Sequence, residues 1–391
     1  MQVDEKYMLR CLDLARSGRS SVAPNPMVGA VIVYKGHIIG EGFHRQYGDA
    51  HAEVNAIYAV KDQSLLCDST LYVNLEPCAH KGKTPPCVEL IIRKHIPRVV
   101  VGCLDPFTEV AGRGVKLLSD AGVEVVTDVL RDEAMFLNRY FITAHTKQRP
   151  YIILKWAQSS DGFIDRIRTD ASEKPVQLSS AASRRYVHRL RSEVSAIMVG
   201  TNTALLDNPS LTVRHWVGQS PVRIFIDRTL RIPQSYHLLD GKVRTLVFTE
   251  NDTAGGYAEH SLRQLPDCKS GNTGNLPLPP PKGDICAGGK NVEYIPIDFS
   301  TEVIPQILNA LYQRQINSLL VEGGACLHKR FLDAELWDEL QIEITPAKLG
   351  DGVKSAVDKP SDIADLHKII RFNPETFHWE KQSMVSVYFC K

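Results

Sequence analysis

The pair of segments D-A-H-A-E-V-N-A-I-Y-A-V (49–60) and E-P-C-A-H-K-G-K-T-P-P-C (76–87) constrains this chain more than any other stretch. A histidine and a glutamate stand two apart at an expected helix start, and two cysteines lie beside prolines. His51, Cys78 and Cys87 offer one nitrogen and two sulfurs, the three-ligand set of a catalytic zinc that keeps one position open. Cys87 follows Pro85-Pro86 at an expected helix N-terminus, where unpaired N–H groups and the helix dipole favour thiolate over thiol. Cys78 follows Pro77 at the end of an expected strand and is expected to enter a helical turn. His51 is expected in the first turn of its own helix. Glu53, two residues on, points away from His51 along that helix and need not ligate. It is free to carry a proton beside the open position. The competing readings are a helix histidine with two buried thiols, or a structural zinc completed by Cys103 or His80. Prolines at both cysteines together with H-x-E favour zinc over buried thiols, and a structural site would need one of those fourth ligands.

At 391 residues the chain exceeds the usual size of a single core, so two domains are expected. The pattern breaks near 147–150, which gives domains 1–147 and 148–391. In the first, helices alternate with strands: a helix over 4–18, two strands around a Lys35-Gly36 turn, then strand, helix and strand again. This implies a layered α/β domain with some parallel pairing. The second repeats the alternation, with a serine-capped helix over 179–194 that carries an apolar stripe at Val187, Leu190 and Val194. A strand entering a Gly-Thr loop follows at 195–201. Residues 251–291 are rich in Gly, Pro, Asn and Asp and read as a long surface loop.

Lys and Arg number 46 against 45 Asp and Glu, for a net charge of +1. No global basic field suggests nucleic acid or an acidic membrane as partner. No stretch is apolar enough to span a bilayer. With 9 cysteines, an odd number, and no apolar leader in the first twenty residues, a reducing cytoplasm is the expected setting.

The H-x-E then P-C pattern resembles that of zinc deaminases, although eight residues separate Cys78 from Cys87 where the general signature has two. The longer insert points further. P-C-A-H-K-G-K-T-P-P-C resembles the deaminase domain of the bifunctional riboflavin-biosynthesis deaminase/reductase family. So do A-P-N-P-M-V-G-A-V-I-V (23–33), G-E-G-F-H-R-Q-Y-G-D-A-H-A-E (40–53) and G-C-L-D-P (102–106). The match continues through K-W-A-Q-S-S-D-G (155–162), G-T-N-T-A-L-L-D-N-P-S-L-T-V-R (200–214) and L-L-V-E-G-G-A-C-L (319–327), in order over essentially the whole chain.

The resemblance implies an N-terminal cytidine-deaminase-like three-layer domain and a C-terminal dihydrofolate-reductase-like domain. It implies hydrolysis of the exocyclic amine of a diamino-ribosylamino-pyrimidinone phosphate, then NADPH-dependent reduction of its ribosyl group to ribityl. It implies zinc at His51, Cys78 and Cys87, with Glu53 catalytic. Deaminase substrate contacts fall on Asn25, His44, His80, Lys83 and Asp105. Dinucleotide contacts fall on Lys155, Ala157, Gly200, Thr203, Asp207 and Gly324, and reductase substrate contacts on Arg191, Leu211, Arg214 and Glu322. A homo-oligomer, dimer or larger, is also implied. Taken alone, Asn25 is a turn residue before Pro26, and Arg191 sits in what could equally be a solvated helix face. No G-x-G-x-x-G follows a strand, so a Rossmann site is excluded.

The chain departs from the family pattern in two places. Phe107-Thr108 replace an Asn-Pro pair expected to touch pyrimidine. Pro175 and Gln177 stand where the family carries serine and tryptophan on the nicotinamide side. The second departure keeps an alternative open: a zinc deaminase whose C-terminal domain binds without reducing. A nucleic-acid editing deaminase would want a basic channel with stacking aromatics, which the charge balance disfavours.

Overall fold

The computed structural model describes residues 3–79, 85–106, 112–250, 291–357, 366–372 and 384–390. The chain divides into two compact units, Met1–Pro150 and Tyr151–Lys391. Among the described residues no helix is long and apolar enough to cross a membrane.

In the first unit, helix α1 (Val3–Arg16) precedes the strands β1 (Gly29–Tyr34) and β2 (His37–Phe43). These pair as an antiparallel hairpin. Lys35 and Gly36 form its two-residue turn, both at positive φ (46° and 80°), which is the backbone such a turn requires. There follow α2 (Ala52–Ala59), β3 (Thr70–Leu75), α3 (Cys87–Arg93), β4 (Arg98–Cys103), α4 (Arg113–Asp120), β5 (Glu124–Val126), α5 (Arg131–Leu137) and α6 (Arg139–Lys147). The sheet runs β2-β1-β3-β4-β5. Its β1 pairings are antiparallel, and β3-β4-β5 are parallel.

Alternation along β1 makes three layers, because successive side chains leave opposite faces. Ala30 and Ile32 pack with Ala52, Ala56 and Ile57 of α2 and with Val88 and Ile91 of α3. Val31 and Val33 pack with Tyr7, Met8 and Cys11 of α1.

Helix α2 lies directly on β2. A Cβ on Gly42 would stand 2.4 Å from the Ala56 nitrogen and 2.6 Å from the Ala52 oxygen. Gly42→Ala is therefore expected to destabilise this unit by about 1–3 kcal/mol through overpacking. A lower urea midpoint would record it, and an unchanged midpoint would mean that α2 withdraws without cost.

The second unit contains β6 (Tyr151–Gln158), β7 (Phe163–Asp165), α7 (Ala181–Glu193), β8 (Ala196–Val199), α8 (Thr201–Asp207), β9 (Val222–Ile226) and β10 (Thr245–Thr249). It continues with β11 (Val292–Pro296), α9 (Val303–Gln313), β12 (Ser318–Val321), α10 (Ala325–Asp333), β13 (Glu339–Ile344), β14 (Val353–Lys354), β15 (Leu366–Phe372) and β16 (Met384–Cys390). Nine strands form one sheet, in the order β11-β10-β9-β8-β12-β6-β13-β16-β15. All neighbours from β11 to β13 are parallel, and β16 is antiparallel to both β13 and β15. Strands β7 and β14 form a separate ribbon. Ile152, Leu154 and Trp156 pack with Ile307, Leu308 and Leu311 of α9 and Phe331 of α10.

The Ser180 hydroxyl accepts from the Ser183 N–H and caps α7, as expected. The Gly-Thr loop expected after β8 is instead helix α8 with Gly200 as its N-cap. The expected 251–291 loop lies outside the described residues up to 290.

Candidate functional site

In the first unit three element ends converge. His51 is the N-cap of α2 with an extended backbone (φ −69°, ψ 162°), one position before the helical turn expected for it. Cys87 opens α3 after Pro86. Cys78 lies in irregular backbone beyond β3, not in a helical turn, and its carbonyl accepts from the Val88 N–H at 3.3 Å. The His51 Nδ1 is 3.4 Å from each sulfur, and the three donor atoms lie within 4.8 Å of one another. Zinc bonds of about 2.0 Å to nitrogen and 2.3 Å to sulfur at tetrahedral angles require roughly 3.5 Å between N and S. The donor set and its spacing therefore fit zinc. Among the described residues the cluster has three protein donors, which leaves one corner for a reactant.

Cys87 contributes its backbone as well as its sulfur. Its backbone N–H, at the start of α3, points to the Cys78 sulfur at 3.3 Å. Cys78 is held down to about 4, first by its hydrogen bond with Cys87 and then, against burial, by His51. His51 is raised to about 9 chiefly by its bond to Cys78. The three side chains thus share protons with one another, an arrangement a divalent cation relieves by displacing them. Glu53, in the first turn of α2, is 3 % exposed. Burial raises its carboxyl above the ordinary range, against the pull of His51. A carboxyl shifted in that direction is suited to taking and returning a proton near neutrality.

Two substrate positions expected from the sequence adjoin this cluster. The His44 ring stands edge-on to His51 at 5.7 Å between centroids. Asn25 Nδ2 meets His44 Nε2 at 3.1 Å, and His44 Nδ1 meets the Ala50 carbonyl at 3.2 Å. Burial lowers the pKa of His44. The neutral tautomer that satisfies both contacts donates from Nδ1 and accepts at Nε2. Asp105 is half-buried beyond β4. His80 and Lys83 lie outside the described residues.

Sequence reasoning missed two buried asparagines that fix the segment after Asn25. Asn74 accepts from the Gly29 N–H at 2.7 Å and donates to the Met27 carbonyl at 3.0 Å. Asn138 accepts from the Met27 N–H at 2.8 Å and donates to the same carbonyl. A polar residue in the middle of the apolar run T-L-Y-V-N-L was the available signal for Asn74.

In the second unit a cleft of about 1270 Å³ opens where the parallel strands end. Small-molecule pockets are typically roughly 300–1,000 Å³, so this one has room for an extended dinucleotide. Its lining includes all the expected dinucleotide positions: Lys155, Ala157, Gly200, Thr203, Asp207 and Gly324. Gly324 has φ 73° and is the N-cap of α10. A Cβ on Gly323 would be 2.8 Å from the Val199 Cβ, so backbone rather than side chain faces the cleft there. Asp207 is paired with Arg168, which also pairs with Asp165 at 2.8 Å. Pro175, Gln177 and Ser179 form one wall.

Of the reductase substrate positions, only Glu322 lines this cleft. Arg191 is joined to it by two bonds of 3.0 and 2.6 Å. The Arg191 fork expected to meet phosphate is therefore already matched by a carboxylate. Arg191 also donates to the Thr212 carbonyl at 3.3 Å. Arg214 is anchored through its backbone N–H to His188 Nδ1 at 3.0 Å. Burial first, and then the neighbouring arginine charges, hold His188 down to about 4, so it accepts this bond as a neutral ring. Leu211 is buried at φ 50°.

A profile of the cytidine and deoxycytidylate deaminase zinc-binding region matches residues 1–103, and one of the RibD C-terminal domain matches residues 150–377. The chain is 37% identical over 356 residues to "Riboflavin biosynthesis protein RibD" of Aquifex aeolicus, covering 90% of this chain and 89% of that one. To the protein of that name from Escherichia coli it is 34% identical, covering 91% of each. Among solved structures, the diaminohydroxyphosphoribosylaminopyrimidine deaminase/5-amino-6-(5-phosphoribosylamino)uracil reductase of Thermotoga maritima aligns with a TM-score of 0.79 at 33% identity, covering 100% and 99% of the two chains. Acinetobacter baumannii RibD aligns with a TM-score of 0.80 at 29% identity, with the same coverage.

Proposed function

We propose, from the premise that this chain belongs to the RibD family of riboflavin-biosynthesis proteins, that residues 1–147 deaminate and residues 148–391 then reduce one phosphorylated pyrimidine. The chain is a bifunctional enzyme of riboflavin biosynthesis, a zinc-dependent deaminase and an NADPH-dependent reductase. The alternative of a non-reducing C-terminal domain is not favoured, since the RibD C-terminal profile spans residues 150–377. The reading further sets the protein in the cytoplasm as a homo-oligomer, dimer or larger, with neither nucleic acid nor membrane as partner.

One observation carries the deaminase assignment: His51, Cys78 and Cys87 present three donor atoms within 4.8 Å of one another, and Glu53 lies buried in the adjoining helical turn. Zinc held by His51, Cys78 and Cys87 would supply Lewis acidity at the reacting carbon and the attacking water. Glu53 then takes a proton from the attacking water at its carboxylate oxygen and delivers it to the departing amine, so that ammonia leaves and oxygen takes its place on the ring. His44, kept neutral, and Asn25 present a hydrogen-bonding edge beside that oxygen and suit the pyrimidine. His80, Lys83 and Asp105 complete the proposed substrate contacts.

In the second unit NADPH supplies the hydride. Lys155, Ala157, Gly200, Thr203, Asp207 and Gly324 would hold it along the cleft. Lys155 is 9 % exposed and acts on Glu322 electrostatically. It suits a role in polarising the sugar's reducing carbon as charge shifts there. Glu322 bounds the sugar, and Leu211, Arg191 and Arg214 are the remaining proposed substrate positions, with Arg214 towards the phosphate.

Mass analysis of the products tests the whole scheme. Without NADPH, the diaminopyrimidinone substrate is expected to exchange its exocyclic nitrogen for oxygen and stop. With NADPH the same sample gains two hydrogens in its sugar. Accumulation of the deaminated ribosyl compound in the presence of NADPH would overturn the reductase assignment.

A further inference from the structure

Glu76 is buried at 6 % exposure beside the zinc cluster, two residues ahead of Cys78. Both of its carboxylate oxygens are spent on backbone donors. Oε1 accepts from the N–H groups of Gly114 (2.8 Å) and Val115 (3.2 Å). Oε2 accepts from those of Asp105 (3.1 Å) and Gly112 (2.9 Å). Gly114 and Val115 are in the first turn of α4, whose leading N–H groups have no partner within the helix. Its N-cap, Gly112, makes no side-chain cap, so Glu76 supplies the cap from elsewhere in the chain and places negative charge at the positive end of the helix dipole. The start of α4 is also pressed against the ligand segment, since a Cβ on Gly114 would lie 2.3 Å from the Pro77 carbonyl oxygen. The Glu76 N–H, meanwhile, donates to the Cys103 carbonyl at 2.9 Å, tying the end of β3 to β4.

One side chain therefore joins three things: the segment leading to the ligand Cys78, the N-terminus of α4, and the backbone of Asp105. We infer that Glu76 is a positioning residue for deamination. It fixes where Asp105 stands relative to His51, Cys78 and Cys87, and all of its own bonds go to protein. The inference rests on the reading of Asp105 as a substrate contact. Glutamine cannot replace it, because its amide nitrogen would face N–H donors where an acceptor is needed. Aspartate keeps both acceptors on a shorter stem.

The test compares full-length E76Q, E76D and D105A in three measurements: zinc content, reduction of the deaminated substrate, and kcat and KM for deamination. E76Q is expected to keep its zinc and its reductase rate, and to raise the deamination KM about tenfold or more with kcat little changed. E76D is expected to recover part of that loss. If E76Q stays within about twofold of the wild-type KM while D105A raises it, Glu76 has no positioning role and the reading of Asp105 stands. If D105A leaves KM unchanged, that reading fails and takes the inference with it. Zinc loss from E76Q would move its role to holding Cys78 and also overturn the inference. Should E76Q fail to fold, E76D carries the test, since its shorter stem cannot hold all four donors as well. It must raise the same KM, and an unchanged value overturns the inference.

Discussion

Glu53→Gln is expected to lower the deamination rate by about 10²–10⁴-fold while zinc stays bound and reduction of the deaminated substrate proceeds at the wild-type rate. The side chain keeps its shape and can still hydrogen-bond, so α2 and the His51 ring have no reason to move. What disappears is the ability to accept a proton at one moment and release it at the next. The zinc ligands are three other residues, so metal content measures whether the cluster is intact independently of turnover. Burial also makes the substitution easy to accommodate: a neutral amide replaces a carboxyl whose ionised form is disfavoured there. Retained deamination would exclude Glu53 as the proton carrier, and lost zinc would make it part of the metal shell.

Glu322→Gln is expected to destabilise the second unit by about 3–5 kcal/mol, because removing one partner of a buried ion pair leaves the other charge uncompensated. The side chains of Arg191 and Glu322 are only 12% and 11% exposed, so water replaces little of the lost carboxylate's charge. Burial pushes the Glu322 carboxyl up, but Arg191 beside it prevails and holds it below the ordinary range. This contribution to stability is therefore complete above the ordinary carboxylate range and is lost as pH falls through the depressed folded value. In Glu322→Gln that acid sensitivity should be absent. The double variant R191M/E322L is expected to regain most of the stability, since apolar replacement of a whole buried pair is often neutral, yet not to reduce substrate. Thermal unfolding of both variants across pH, set beside NADPH oxidation, checks this. Recovery of reduction in the double variant would confine the pair to a structural role.

What could be read from the residues depended on how local the signal was. The β1–β2 hairpin was legible because its alternation and its Lys35-Gly36 turn occupy adjacent positions. The zinc cluster was legible because histidine, cysteine and proline are informative residue types, even though β3 separates His51 from Cys78. Helices α5 and α6 were not expected: the run 131–147 mixes charged and aromatic residues without a clear cap, and neither helix has a side-chain cap hydrogen bond. Helix α8 is only seven residues long, too short for a periodic pattern to declare itself. Strands β7, β11, β14 and β15 were also missed. Buried polar struts were the least legible of all. Asn138 reaches Met27 across 111 positions and Arg191 reaches Glu322 across 131, and no local pattern records a partner that distant.

The order of strands in the two sheets has a consequence for how the chain acquires its shape during synthesis. All five strands of the first sheet lie within residues 29–126, so that half can close while the remainder is still being made. Strand β6, Tyr151–Gln158, is nearly all apolar, but its neighbours β12 and β13 are Ser318–Val321 and Glu339–Ile344. Until those emerge, a sticky ribbon waits with both edges unpaired, and pairing so remote in sequence is slow. The second half is thus the one that should need chaperone protection in the cell.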